Sequence, residues 1–162
     1  MYRAKTEGRN RVEAECLEQH SDQNAWLDTQ LVQLVWRRAY ESGNGQIDTQ
    51  HRALFEHVNS LLKAILNNRP KPEIKQQLGV LVTEIDQHFN DENAILMKSA
   101  YSDEEHHYEL HAALMQKAIK LMRRFDEDKV GVGELFHYFA YDFVARHMLI
   151  EDRKFFPFLP PD

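Results

Sequence analysis

Apolar residues recur at steps of three and four in four separate stretches of the chain, the period of a helix that buries one face. The first stripe is Ile47, His51, Leu54, Phe55, Val58, Leu61, Leu62 and Ile65. It follows the turn Ser42-Gly43-Asn44-Gly45, has Asp48 as a candidate N-cap, and stops at Asn67-Asn68-Arg69-Pro70. The second, from about Lys71 to Lys98, carries Ile74, Leu78, Leu81, Ile85, His88, Glu92, Ile95 and Leu96. The third begins near Ser102 or Asp103 and carries His107, Leu110, His111, Leu114, Leu121, Met122 and Phe125. Gly131 and Gly133 then break the chain. The fourth stripe, Leu135, Phe136, Phe139, Phe143, Val144, His147 and Ile150, ends before Pro157. Strand-like alternation is scarce, so the expected fold class is all-α. Short connections between helices of similar length favour an up-down-up-down four-helix bundle.

Ahead of the bundle, Val12, Cys16, Trp26, Leu27, Leu31, Leu34 and Val35 form an irregular apolar stripe that predicts an additional N-terminal helix. Such a helix either packs on its own bundle or serves as a connector and self-association surface. Composition narrows the setting. The 162 residues, 43% of them hydrophobic, can fill one sizeable core with length to spare. The lone Cys16 makes no internal disulfide, and the charged start, MYRAKTEGRNR, lacks the apolar segment of a signal peptide, so the expectation is a cytoplasmic protein. No apolar run is long enough for a membrane span, and a net charge of −6 argues against nucleic acid or an anionic membrane surface as partner.

The nine histidines change the picture. A single histidine on an apolar helix face is usually a satisfied core residue, but here every inward stripe holds one. His88 with Glu92, and His107 with His111, are spaced i, i+4, which sets two side chains one turn apart on one face. Asp152 follows His147 at i+5, about 140° away on an ideal α-helix, so it must reach sideways or sit where the helix ends. Burying five imidazoles (His51, His88, His107, His111, His147) and two carboxylates (Glu92, Asp152) costs heavily unless cations neutralise them. Seven ligands are too many for one tetrahedral zinc. Two bridging carboxylates and a solvent oxygen would instead serve two ions, one with three histidines and one with two, leaving a vacancy on the second. Mixed imidazole and carboxylate ligation suits iron, although the affinity order of divalent metals lets zinc or copper occupy the same ligands if supplied. His20, His57, His106 and His137 read as solvated or supporting residues; His106 has no partner at i+4.

The stretches Ile47 to His51, His88 to Glu92, His107 to His111 and His147 to Asp152 resemble, in order, the H, HxxxE, HxxxH and HxxxxD signatures of the bacterial hemerythrins, and Trp36, Tyr40 and Gly43 resemble the segment before the first ligand. The resemblance implies an oxo- or hydroxo-bridged pair of iron ions. His107, His111 and His147 would bind one, His51 and His88 the other, and Glu92 and Asp152 would bridge them. It further implies dioxygen binding at the vacancy, with Leu54, Phe89, Phe143, Val144 and Met148 lining the oxygen pocket. An oxygen carrier or store is the alternative to a sensor, and no acid or base beyond the ligands suggests an enzyme.

Residues Met1 to Val12 are similar to the end of GGDEF-type diguanylate cyclase domains. On that likeness, 1–12 is the remnant of a cyclase domain, 13–38 a helical connector and 39–162 the hemerythrin-like di-iron domain. The GGDEF motif itself is absent, so the chain would be an oxygen or redox sensor module in cyclic di-GMP signalling rather than an enzyme.

Overall fold

The computed structural model describes residues 33–159. Helix α1 spans Gly45–Leu66, α2 Lys71–Leu96 and α3 Glu104–Asp126. Helix α4 starts as an α-helix over Val132–Phe136 and continues as a π-helix over His137–Glu151, followed by 3-10 turns at Asp152–Lys154 and Phe156–Phe158. A further 3-10 turn, Arg38–Tyr40, precedes α1. No strand occurs among the described residues, and the four helices form the expected all-α bundle.

The helix starts show how local chemistry sets the boundaries. Asn44, not Asp48, caps α1, its Oδ1 accepting from the Ile47 N–H at 3.1 Å. Asp48 lies inside the first turn, where its carboxylate accepts from the Ser42 N–H (2.6 Å) and hydroxyl (2.8 Å) and so ties down the turn before the helix. That turn folds back through Gly43, whose φ of +85° favours glycine. Asp103 is the cap residue of α3 without a capping bond from its side chain. Gly133 does not break the chain: α4 begins at Val132, with the Glu134 carboxylate accepting from the Gly131 N–H at 3.0 Å.

The helix expected over 13–38 lies largely outside the described residues. Its last stretch, 33–37, is not helical. Asn59 on α1 explains why: its side chain accepts the Leu34 N–H at 2.8 Å and donates to the Leu34 carbonyl at 2.7 Å, taking both groups a helix would use.

The larger apolar core joins Leu61, Leu62, Leu78, Leu81, Ile85, Tyr138 and Phe139, all essentially inaccessible. Each such side chain contributes roughly 1.5–3 kcal/mol on burial. A smaller cluster of Ile47, Leu96 and Phe155 forms separately. Ile150, expected inward, is 57% exposed. A π-helix bonds i to i+5 and therefore passes more residues per turn than 3.6. The buried positions of α4 accordingly run Phe139, Phe143, Val144, His147, Met148 and then Asp152, past Ile150.

Candidate metal centre

Seven polar side chains are buried among the described residues: His51, His88, Glu92, His107, His111, His147 and Asp152. They are the seven singled out in the sequence. α1 supplies His51, α2 His88 and Glu92, α3 His107 and His111, and α4 His147. Asp152 follows directly on α4, and its backbone N–H donates to the His147 carbonyl. This i to i+5 bond sets Asp152 beneath His147, which answers the awkward spacing: the helix widens, and the side chain need not reach sideways.

The carboxylates divide the cluster in two. Glu92 turns Oε1 to His107 (3.0 Å) and His111 (3.1 Å), and Oε2 to His88 (3.4 Å) and His51 (3.8 Å). Asp152 turns Oδ1 to His147 (3.1 Å) and His107 (3.4 Å), and Oδ2 to His51 (3.3 Å). Two overlapping donor sets result, one of His107, His111, His147, Glu92 and Asp152, the other of His51, His88, Glu92 and Asp152, each with its donor atoms within 4.8 Å of one another.

Five buried atoms of the cluster lack a hydrogen-bond partner: Glu92 Oε2, both Asp152 oxygens, and Nε2 of His111 and His147. Unpaired buried polar atoms are costly, and all five belong to groups that converge on the two donor sets, as cation ligands would. The residues present therefore fit a metal pair.

Protonation without cations points the same way. Burial opposes charge on His51, yet the adjacent carboxylates of Asp152 and Glu92 raise it to about 9. His107 reaches about 9 on the same balance of burial against Asp152 and Glu92. Burial pushes His88 down to about 4, with the neighbouring His51 charge adding to the effect. Burial likewise takes His147 to about 4. Despite burial, the close imidazoles of His107, His111 and His51 hold Glu92 well below the usual carboxylate range, and Asp152 is lowered too. The carboxylates are thus ionised and lean on two imidazolium protons, which metal binding would release.

Two orienting residues were not assigned in the sequence. Gln50 Oε1 meets His88 Nδ1 at 3.0 Å while its Nε2 donates to Asp91 at 2.6 Å, and Asn93 Oδ1 meets His111 Nδ1 at 2.8 Å. Each fixes a ring so that Nε2 faces the centre. Their signal was adjacency: Gln50 precedes His51 and Asn93 follows Glu92, and one helical step rotates a residue about 100° toward the neighbouring helix.

The five expected pocket residues, Leu54, Phe89, Phe143, Val144 and Met148, are all buried. Phe89 stacks on His111 with ring centroids 3.9 Å apart and also lies 5.8 Å from His88. Beside His51 stand two aromatics that the sequence reading did not place in the wall, Trp36 at 6.3 Å and Phe156 at 6.5 Å. Of the other histidines, His57 pairs with Glu84, while His106 and His137 are exposed. His20 lies outside the described residues.

Comparison with known proteins agrees with this geometry. The family described as Hemerythrin HHE cation binding domain matches residues 42–159. A bacteriohemerythrin of Methylococcus capsulatus is 29% identical over 131 residues, covering 80% of this chain and 98% of the relative. One of Campylobacter jejuni is 27% identical over 113 residues, covering 68% and 84% respectively. A wild-type hemerythrin crystal structure superposes with a TM-score of 0.69 at 26% identity, covering 78% of this chain and 97% of that one.

Proposed function

The chain belongs to the hemerythrin family, and from that premise we propose that it is an oxygen- or redox-responsive module whose centre reports to a linked diguanylate cyclase. The cofactor of the family is a di-iron centre and its ligand dioxygen. The observation that carries the reading of the site is the pair of donor sets sharing Glu92 and Asp152. In this reading His107, His111 and His147 hold one iron, and His51 and His88 hold the iron with the open position. When bound, the iron pair supplies an open coordination site and two electrons.

The chain's own residues do the rest. Gln50 and Asn93 hold two rings in register. Leu54, Phe89, Phe143, Val144 and Met148 exclude water from the oxygen pocket. Trp36 links the site to the segment before α1: it packs against His51 at 6.3 Å and Phe55 at 5.1 Å, two residues beyond the Leu34 backbone that Asn59 clamps. A shift of His51 between oxidation states would press on Trp36 and, through the clamped segment, on whatever precedes it. The likeness of Met1 to Val12, which lie outside the described residues, to a cyclase terminus supports a cyclase as the recipient.

The test is cyclic di-GMP synthesis by the protein read from the open frame that includes sequence ahead of Met1, assayed as diferrous, oxygen-exposed and diferric forms. A tenfold difference in turnover is expected, which needs only about 1.4 kcal/mol between the states. Equal turnover with iron present would refute the sensor and favour an oxygen carrier or store. The carrier reading has its own support: this domain alone accounts for 98% of the length of the Methylococcus capsulatus relative.

A further inference from the structure

A surface cavity of about 210 Å³ opens between α3 and α4 and reaches His147 at its inner end. Leu110, Ala113 and Leu114 form an apolar wall, while Lys117, Asp142, Arg146 and Glu151 supply charge. Most of that charge is already paired. Lys117 donates to Asp142 at 2.5 Å, and Glu151 accepts from Lys154. Arg146 alone makes no hydrogen bond or ion pair among the described residues. The exposed Arg146, without a partner among the described residues, thus shares the cavity lining with an apolar wall and with a ring of the centre. His147 differs from His88 and His111 in having no side chain hydrogen-bonded to its outer ring nitrogen among the described residues.

We infer that this cavity is a binding site for a small monocarboxylate with a short apolar tail, held by Arg146 against His147. The guanidinium fork matches a carboxylate bidentately, and the apolar wall takes the tail. With Asp142 engaged by Lys117 and Glu151 by Lys154 from outside the cavity, Arg146 is left to balance one negative charge; a dianion such as phosphate would meet Asp142 and Glu151 without a second free cation. The volume lies below the ~300–1,000 Å³ of sites for drug-sized ligands, which favours an acid of only a few carbons. Binding of the acid is independent of whether the module signals. Its influence on the centre rests on the reading of His147 as an iron ligand, because a carboxylate beside that ring alters its basicity.

The experiment is calorimetric titration of the iron-loaded protein with butyrate, with and without saturating azide, a small anion that occupies an open iron position. The expected result is saturable one-to-one binding that azide leaves in place. Arg146→Ala should weaken it by about tenfold or more, as loss of a charged hydrogen-bonding partner does, and Arg146→Lys should weaken it less. Leu114→Trp, which fills the cavity, should abolish it while azide binding persists, showing that the fold and centre are intact. No saturable binding, displacement by azide, or equal affinity in Arg146→Ala would overturn the site. If calorimetry shows binding but the iron charge-transfer bands do not move, the cavity stands and its coupling to His147 fails.

Discussion

The two halves of the cluster share Glu92 and Asp152 yet are walled at different distances. The three-histidine half is wrapped at close range: Phe89 stacks on His111 at 3.9 Å, His107 and His147 lie nearly parallel at 5.2 Å, and Phe155 meets His107 edge-on at 5.1 Å. In the two-histidine half, the walls on His51 stand farther off, with Trp36 and Phe156 beyond 6 Å. There His88 is fixed by a polar chain through Gln50 to Asp91, which also accepts from Gln87 at 3.0 Å. Both halves use a hydrogen bond to an outer ring nitrogen, His88 through Gln50 and His111 through Asn93. What differs is the aromatic wall, stacked at 3.9 Å on His111 but no nearer than 5.8 Å to His51 or His88, and close packing leaves little room for an added ligand. The difference supports the two-histidine half as the place where an exogenous molecule binds.

The largest effect should come from the residues that belong to both halves. Glu92→Ala or Asp152→Ala should empty both iron positions, because each removal takes one donor from each set, and should destabilise the metal-free bundle less than the loaded one. Iron analysis of the purified variants checks this; retention of both irons would dissolve the two-set description. Next in size is His107→Ala, which should remove most of one iron, whereas exposed His106→Ala should remove none. The reverse result would show that the neighbour is the ligand.

Smaller effects separate the halves by their supports. Gln50→Ala should weaken iron at the two-histidine half, and Asn93→Ala at the three-histidine half, each by roughly 10–100-fold. Competition with a chelator reads the two positions as separate phases. If both variants weaken the same phase, the halves are not independently supported.

The mildest test is pH. In the metal-free protein His88 and His147 sit at about 4, below their ordinary 6.5, so the unfolded chain binds more protons between those values and stability rises with pH there. His51 and His107 sit at about 9, so the folded chain holds more protons from 6.5 upward. Their contribution is present below 6.5 and lost as pH rises through 9. Thermal melts should therefore peak near pH 6.5, and iron should flatten the alkaline limb by replacing the protons. A metal-free melting temperature that climbs steadily to pH 9 would contradict the proton bookkeeping.

What the sequence by itself determined is what depends on local helical period. Five histidines and two carboxylates on otherwise apolar stripes cannot be buried singly, so His51, His88, Glu92, His107, His111, His147 and Asp152 were legible as one cluster, together with the all-α bundle that gathers them. The tertiary structure decided what depends on hydrogen-bond register and on partners across helices. α4 widens into a π-helix, which brings Asp152 under His147 and turns Ile150 outward, and no α-helical extrapolation contains that change. Asn59 holds the Leu34 backbone out of a helix although the apolar spacing there reads as helix. Gln50, Asn93, Trp36 and Phe156 found their roles only when a second element met them. A residue's period is written along one helix, but its partner is chosen by packing between two.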